Sequence, residues 1–176
     1  MERNRFDSTV SRYSRRVFTF ASYLLGDPGE AEDITQEVLI KLWKRGGEIN
    51  PDRLGAWLLT VTRNACTDVL RRRGRTAKII PIRSEAQPQA DHPSPAPSPE
   101  RVAAGSQLGE RILKALSELS EPARTVVILR EIQGLSYREI SDVTEIKIDT
   151  IRVILHRGRR RLRDSLKEVQ PHVVNG

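Results

Sequence analysis

The sequence predicts an all-α fold: two small helical domains joined by a flexible Pro-rich linker, the C-terminal one containing a helix-turn-helix. Three observations carry this. Apolar residues recur at three- and four-residue steps in both halves of the chain. No segment alternates apolar and polar residues between hairpin turns. Residues 76–107 hold six of the ten prolines and no aromatic, a composition too poor in apolar surface to offset the entropy of ordering.

The elements follow in order. Phe6, Val10, Tyr13, Val17, Phe20 and Leu24 mark one buried helix face, and Gly26 ends that helix. Asp27-Pro28-Gly29-Glu30 is a start signal, with an N-cap Asp, Pro in the first turn and Glu at N3. Ile34, Val38 and Leu42 form the next inner face, with Leu39 and Trp43 beside it, and Gly46-Gly47 stops the helix. After a polar loop at 48–53, Pro51 can open a third helix. Leu54, Trp57, Leu58, Val61, Ala65 and Val69 stripe it to about Arg73. The linker follows, with Pro93, Pro95, Pro97 and Pro99 alternating with small residues in a semi-stiff chain. Beyond it, Leu108, Ile112, Leu116 and Leu119 form one stripe. Pro122 opens a helix carrying Ala123, Val126, Val127 and Ile132, which Gly134 ends. The expected division is 1–75, linker 76–107, 108–170, and a tail at 171–176.

The bulk composition narrows the partners. Of 176 residues, 30 are Lys or Arg and 23 Asp or Glu, a net charge of +7. A basic surplus favours polyanions, whether nucleic acid or an acidic membrane face. The single cysteine, Cys66, permits no intramolecular disulfide and fits a reducing cytoplasm. No apolar run approaches the ~20 residues that span a bilayer. The N-terminus leads into an amphipathic segment rather than a signal-peptide core. His92, His156 and His172 stand at no metal-site spacing with Cys66. No metal site, cofactor or catalytic constellation is expected.

The strongest local signal lies at 136–163. Ser136-Tyr137-Arg138-Glu139 is a capping box opening a short helix to Val143. Ser141 is small where two helices must approach, and Ile140, Ile146 and Ile151 are spaced to close the core between them. A second helix, from Lys147 to Arg163, carries Arg152, Arg157, Arg159, Arg160, Arg161 and Arg163 with no acid between Arg152 and Arg163. A helix-turn-helix places such a helix in the major groove, where cations neutralise phosphates and arginine can fork onto guanine. A solvated basic helix is the bland alternative. Glu145 stands at the turn where glycine is common, and a left-handed conformation there costs roughly 1 kcal/mol.

A second basic surface closes the first half. With Leu58, Val61, Ala65 and Val69 inward, Asn64, Thr67, Asp68, Arg71 and Arg72 share the wet side, next to Arg63. Asn can pair bidentately with adenine. Cations suiting the helix dipole explain the arginine run on their own, but they explain neither Asn64 nor the separate basic helix. Two basic modules on a tether suggest two DNA contacts.

These residues resemble the extracytoplasmic-function (ECF) sigma factors of bacterial RNA polymerase over nearly the whole chain except linker and tail. The first helix, ending Tyr23-Leu24-Leu25-Gly26-Asp27, is similar to the opening of their first domain, and the run from Ala31 to Trp43 to their polymerase-binding helix. Ala56 to Asn64, with Asp68 and Arg71-Arg72-Arg73, resembles their promoter-melting and −10-reading segment. Gly134 to Ile140, Thr150-Ile151-Arg152 and Leu155-His156-Arg157 resemble their −35-reading helix-turn-helix.

The resemblance implies roles. Asp33, Gln36, Glu37 and Lys41 would dock on the β′ clamp helices of core polymerase, with the β flap as a further contact. Arg63, Asn64, Thr67, Asp68, Arg71 and Arg72 would engage the −10 element. The loop at about 48–54 and Asn64 would hold an unstacked base, at a cost of a few kcal/mol. Lys147, Thr150, Arg152, Val153, His156, Arg157 and Arg160 would read the −35 element. An anti-sigma factor is an implied partner. Val153 and Ile154 depart from the Ser and Arg common in the family; Val153 can touch a thymine methyl but cannot read guanine. A conventional helix-turn-helix regulator and, more distantly, an enzyme are the competing readings. Asp33 and Glu37 share a helix face, but no nucleophile–base set joins them.

Overall fold

The computed structural model describes residues 3–79 and 106–168. Seven α-helices are found there: α1 Arg3–Leu25, α2 Pro28–Arg45, α3 Leu54–Ile79, α4 Gln107–Ser117, α5 Glu121–Val127, α6 Tyr137–Thr144 and α7 Ile148–Glu168. Short 3-10 turns at Gly46–Glu48 and Pro51–Arg53 connect α2 to α3, and a π turn, Ile128–Ile132, prolongs α5. No strand occurs among the described residues. No helix there is long and apolar enough to cross a membrane. Most of the proline-rich segment and the tail at 171–176 lie outside the described residues.

Local chemistry sets the helix ends. Gly26 takes φ +70 and closes α1, a conformation that costs glycine little. Asp27 caps α2 by accepting from the Glu30 N–H at 2.9 Å, with Pro28 in the first turn. Asn50 caps the Pro51 turn, accepting from the Asp52 N–H at 2.9 Å. The proline therefore opens a 3-10 turn, and α3 proper begins at Leu54.

In the N-terminal half, Val17, Phe20, Ala21 and Leu24 of α1 pack with Ile34, Val38 and Leu42 of α2 and Leu54, Leu58 and Leu59 of α3. Thr62 is fully buried, and its hydroxyl donates to the Leu58 carbonyl at 2.7 Å, so its own oxygen is not orphaned. In the C-terminal half, Leu116, Val126, Ile128 and Leu129 pack with Ile140, Val143, Ile151 and Leu155. Gly158 is buried where α7 crosses α5, and a Cβ there would stand 2.8 Å from Val127 Cγ2.

Three expectations need correction. Helix α3 continues to Ile79, beyond Arg73 and into the segment expected to be linker; the first proline after it is Pro81. Leu108 is 61% exposed rather than part of the buried stripe, because in the first turn of α4 nothing among the described residues covers it. Trp43 is 48% exposed; it lies more than a quarter-turn from the Ile34–Val38–Leu42 face and points away from the core.

The two halves also touch each other, which a tethered arrangement does not require. Arg124 Nη1 donates to the Leu24 carbonyl at 3.0 Å while its other nitrogens reach the carbonyls of Leu116, Ser117 and Leu119. Arg16 Nε donates to Gln133 Oε1 at 3.0 Å, and Gln133 Nε2 donates back to the Arg16 carbonyl at 3.2 Å.

Candidate nucleic-acid interface

The helix-turn-helix is built from short-range chemistry. Ser136 accepts from the Glu139 N–H, and the Glu139 carboxylate accepts from the Ser136 N–H at 2.7 Å, completing the capping box. Hydrogen bonds to the carboxylate from the Ser136 side chain and then its backbone N–H hold the Glu139 carboxyl below the usual glutamate range. Glu145 ends α6 in the left-handed region, φ 62 and ψ 14. Ser141 Oγ donates to the Ile146 carbonyl at 2.7 Å, so the small residue bonds across the turn as well as making room. Ile140 and Ile151 are fully buried beneath it and Ile146 partly so.

Helix α7 presents the outward face. Lys147, Thr150, Arg152, Val153, His156, Arg157 and Arg160 are all exposed, Val153 by 49%. Their arginines are not equivalent. Arg152 donates to Asp149 Oδ1 at 2.8 Å and lies 5.9 Å from the Tyr137 ring, whose centroid is also 5.0 Å from Arg130. Arg159 is fixed by two bonds to Glu131 Oε1, at 2.9 and 2.6 Å, which raise its pKa. A cleft of about 300 Å³ runs beside this face, lined by Tyr137, His156, Leu155 and Arg152, Arg159, Arg160 and Arg163. Four guanidiniums around one groove make a surface for phosphates.

The second surface lies on α3. Asn64, Asp68, Arg71 and Arg72 are exposed, and Arg63 and Thr67 half-buried. Arg63 donates from Nε and Nη2 to Asn64 Oδ1 at 3.2 and 2.8 Å. The Asn64 oxygen is thereby engaged as an acceptor, which leaves its amide N–H groups to donate. Arg71 pairs loosely with Asp68 at 3.9 Å. All of these side chains except Arg72 line a cleft of about 360 Å³, whose far wall is Glu121 of α5, a residue that no sequence pattern marks. Thr67 Oγ1 donates to Glu121 Oε1 at 3.0 Å, and Arg63 Nη1 to the Thr144 carbonyl at 3.0 Å.

On α2, Asp33, Gln36, Glu37 and Lys41 share the exposed face, with Lys41 Nζ paired to Glu37 Oε1 at 2.6 Å. Ile40, 54% exposed, sits among them; sequence periodicity had left it unassigned. A mixed apolar and charged helix face suits a protein partner.

Two family models match the chain in order: Sigma-70 region 2 over residues 9–76 and Sigma-70 region 4 over residues 109–162. The ECF RNA polymerase sigma factor SigE of Mycolicibacterium smegmatis is 38% identical over 163 residues, 92% of this chain and 61% of that protein. The chain therefore spans somewhat under two thirds of that relative's length.

The chain belongs to the ECF sigma factors.

The RNA polymerase sigma-H factor of Pseudomonas aeruginosa is 27% identical over 170 residues, 94% of this chain and 88% of its own. Among solved structures, the sigma factor RpoE of Bartonella quintana, crystallised with the anti-sigma factor NepR, matches with a TM-score of 0.71 and 28% identity. It covers 94% of this chain and 98% of that one. The likeness thus takes in both regions. Region 2 corresponds to α1–α3 and region 4 to α4–α7.

Proposed function

We propose that this sigma factor binds core RNA polymerase, directs it to specific promoters and assists their opening, in response to a stress or other signal and without catalysing a reaction itself. The observation that carries the reading is the ordered pair of matches, region 2 then region 4. Each region ends in a helix with an exposed basic face. In this reading the chain works in the cytoplasm as two domains, α1–α3 and α4–α7, with the proline-rich segment between Ile79 and Gln107 as tether.

The α2 face of Asp33, Gln36, Glu37, Ile40 and Lys41 docks on the β′ clamp helices, and region 4 meets the β flap. Asn64, with Arg63, Thr67, Asp68, Arg71 and Arg72, engages the −10 element. Lys147 and the exposed side chains of α7 as far as Arg160 read the −35 element. Val153 there favours a thymine methyl over guanine, while Arg157 and Arg160 offer the forks. An anti-sigma factor is a fitting regulator, as the solved relative was captured with one.

Reconstitution with core polymerase on a promoter library tests the reading. Run-off transcripts from a restricted promoter set are expected. Asn64→Ala abolishes them while leaving polymerase binding intact. A chain that never associates with core polymerase refutes the proposal; tight, specific duplex binding without polymerase favours a conventional regulator instead.

A further inference from the structure

We infer that Arg63 locks the Asn64 amide so that it can only donate, and that the pair therefore reads a −10 base by its acceptors and turns adenine away. The inference rests on the assignment of Asn64 to the −10 element made above and adds what that residue can recognise. It revises the sequence expectation that Asn64 pairs bidentately with adenine.

The chemistry of the pair decides the orientation. A guanidinium has N–H donors and no acceptor, whereas an asparagine amide has one acceptor oxygen and one NH2 group. Arg63 directs both Nε and Nη2 at a single atom, Asn64 Oδ1, at 3.2 and 2.8 Å. Turning the amide over would set its NH2 group against those two N–H groups, donor against donor. The charge on the guanidinium strengthens the bonds that the observed orientation makes. Nη1, a nitrogen the fork does not use, donates to the Thr144 carbonyl. Asn64 is exposed and Arg63 half-buried. The pair thus offers an incoming base N–H groups and no side-chain acceptor of its own.

Bases differ in how they meet such a surface. Guanine shows O6 beside N7, and thymine shows O4, all of which receive N–H groups. Adenine sets its N6 amino group beside N7, so bidentate pairing needs an acceptor on the protein. That acceptor is the oxygen Arg63 occupies. Asp68 does not replace it. It stands one turn on, roughly 5–6 Å away between Cβ atoms, and Arg71 draws on its carboxylate at 3.9 Å. An unstacked adenine therefore turns its amino group towards donors. Once the base covers them, an unmatched donor costs more than a bond merely not made. Arg63 is in this account a positioning residue, acting on the base through Asn64.

The test uses holoenzyme reconstituted with the full chain. The probes are short non-template strands carrying the −10 element of a promoter that the holoenzyme selects from the library. Each base is placed in turn at each position, and binding is read by fluorescence anisotropy. Asn64→Ala identifies the position the residue reads, as the one where base preference relaxes. There the unaltered chain is expected to bind adenine about tenfold more weakly than the preferred base. Purine, which keeps the ring nitrogens of adenine and lacks its amino group, recovers most of that loss. Arg63→Ala frees the Asn64 oxygen and removes most of the adenine penalty at that position alone; Asn64→Ala in that background abolishes the gain. A merely structural role for Arg63 would weaken binding at every position alike. Arg63→Lys keeps the charge without the fork and narrows the penalty in the same direction, which separates loss of the fork from loss of charge or of folding.

Adenine as the preferred base at that position in the unaltered chain overturns the inference, as does a penalty that persists with purine or in Arg63→Ala. If Asn64→Ala relaxes no position, Asn64 reads no base and the inference falls, while run-off transcription by the unaltered chain keeps the sigma-factor reading standing. If no promoter is transcribed at all, that reading falls and takes the inference with it.

Discussion

Gly158→Ala will destabilise the chain by about 1 kcal/mol, although alanine is the better helix former. Replacing a helical glycine by alanine gains up to ~1 kcal/mol in an open position. At Gly158 the new methyl would stand 2.8 Å from Val127 Cγ2, about 1 Å inside ordinary carbon–carbon contact. Val127 cannot give way easily: it is 2% exposed, and a β-branched side chain in a helix has one favoured rotamer. Overpacking of this kind costs roughly 1–3 kcal/mol, which outweighs the propensity gain. The assay is urea unfolding followed by circular dichroism, with a melting temperature about 2–4 °C lower as a second measure. The decisive measurement is a double-mutant cycle with Val127→Ala. Once the valine methyls are gone, the same glycine substitution should become stabilising by up to ~1 kcal/mol, a coupling of about 2 kcal/mol. If Gly158→Ala stabilises the unaltered chain, or acts identically in both backgrounds, close approach of α5 and α7 does not govern this position. The result bears on function because the same crossing fixes the helix expected to read the −35 element.

Three further outcomes are expected. Glu145→Gly relieves a non-glycine at φ 62 and should raise the urea midpoint by up to ~1 kcal/mol equivalent with an unchanged slope. Arg124→Lys replaces a fork serving four carbonyls with a single ammonium, and should cost about 2 kcal/mol in the same assay. Glu139, whose folded-state pKa lies below the usual glutamate value because Ser136 donates to it, contributes stability above the ordinary glutamate range. That contribution is lost as pH falls through the lowered value. Glu139→Gln should therefore flatten the acid side of the stability–pH curve, and superimposable curves would refute the assignment.

What the sequence made legible was what short-range chemistry decides. Asp27, Gly26, the Ser136–Glu139 box and Gly134 act within four residues of themselves, so their roles follow from spacing alone. The core stripes of α1 and α2 were also readable, because each has one dominant covered face. Helix α3 was read only in part. It packs against α1, α2 and α6, and Leu59, Thr62 and Cys66 are buried outside the single stripe that periodicity picks out. Burial there pushes the Cys66 thiol up to about 12. The exposed site residues of α2, α3 and α7 fall on the expected outward faces. The partners of Arg63, Thr67 and Arg16 were not legible. They lie 81, 54 and 117 residues away, and a glutamate, a backbone carbonyl and a glutamine carry no pattern that marks them.

The π turn at Ile128–Ile132 has a geometric consequence for this family of contacts. Its wider hydrogen-bond ring, closed by the Gln133 N–H on the Ile128 carbonyl at 3.0 Å, accommodates one residue more than an α-turn would. Deleting a single residue there would restore regular winding and rotate everything downstream by about 100°. Gln133 would swing off Arg16, and the helix-turn-helix would leave α5 at a new angle. The aim of the helix-turn-helix relative to the rest of the protein thus depends on one extra residue in this turn, as well as on the side chains that pack around it.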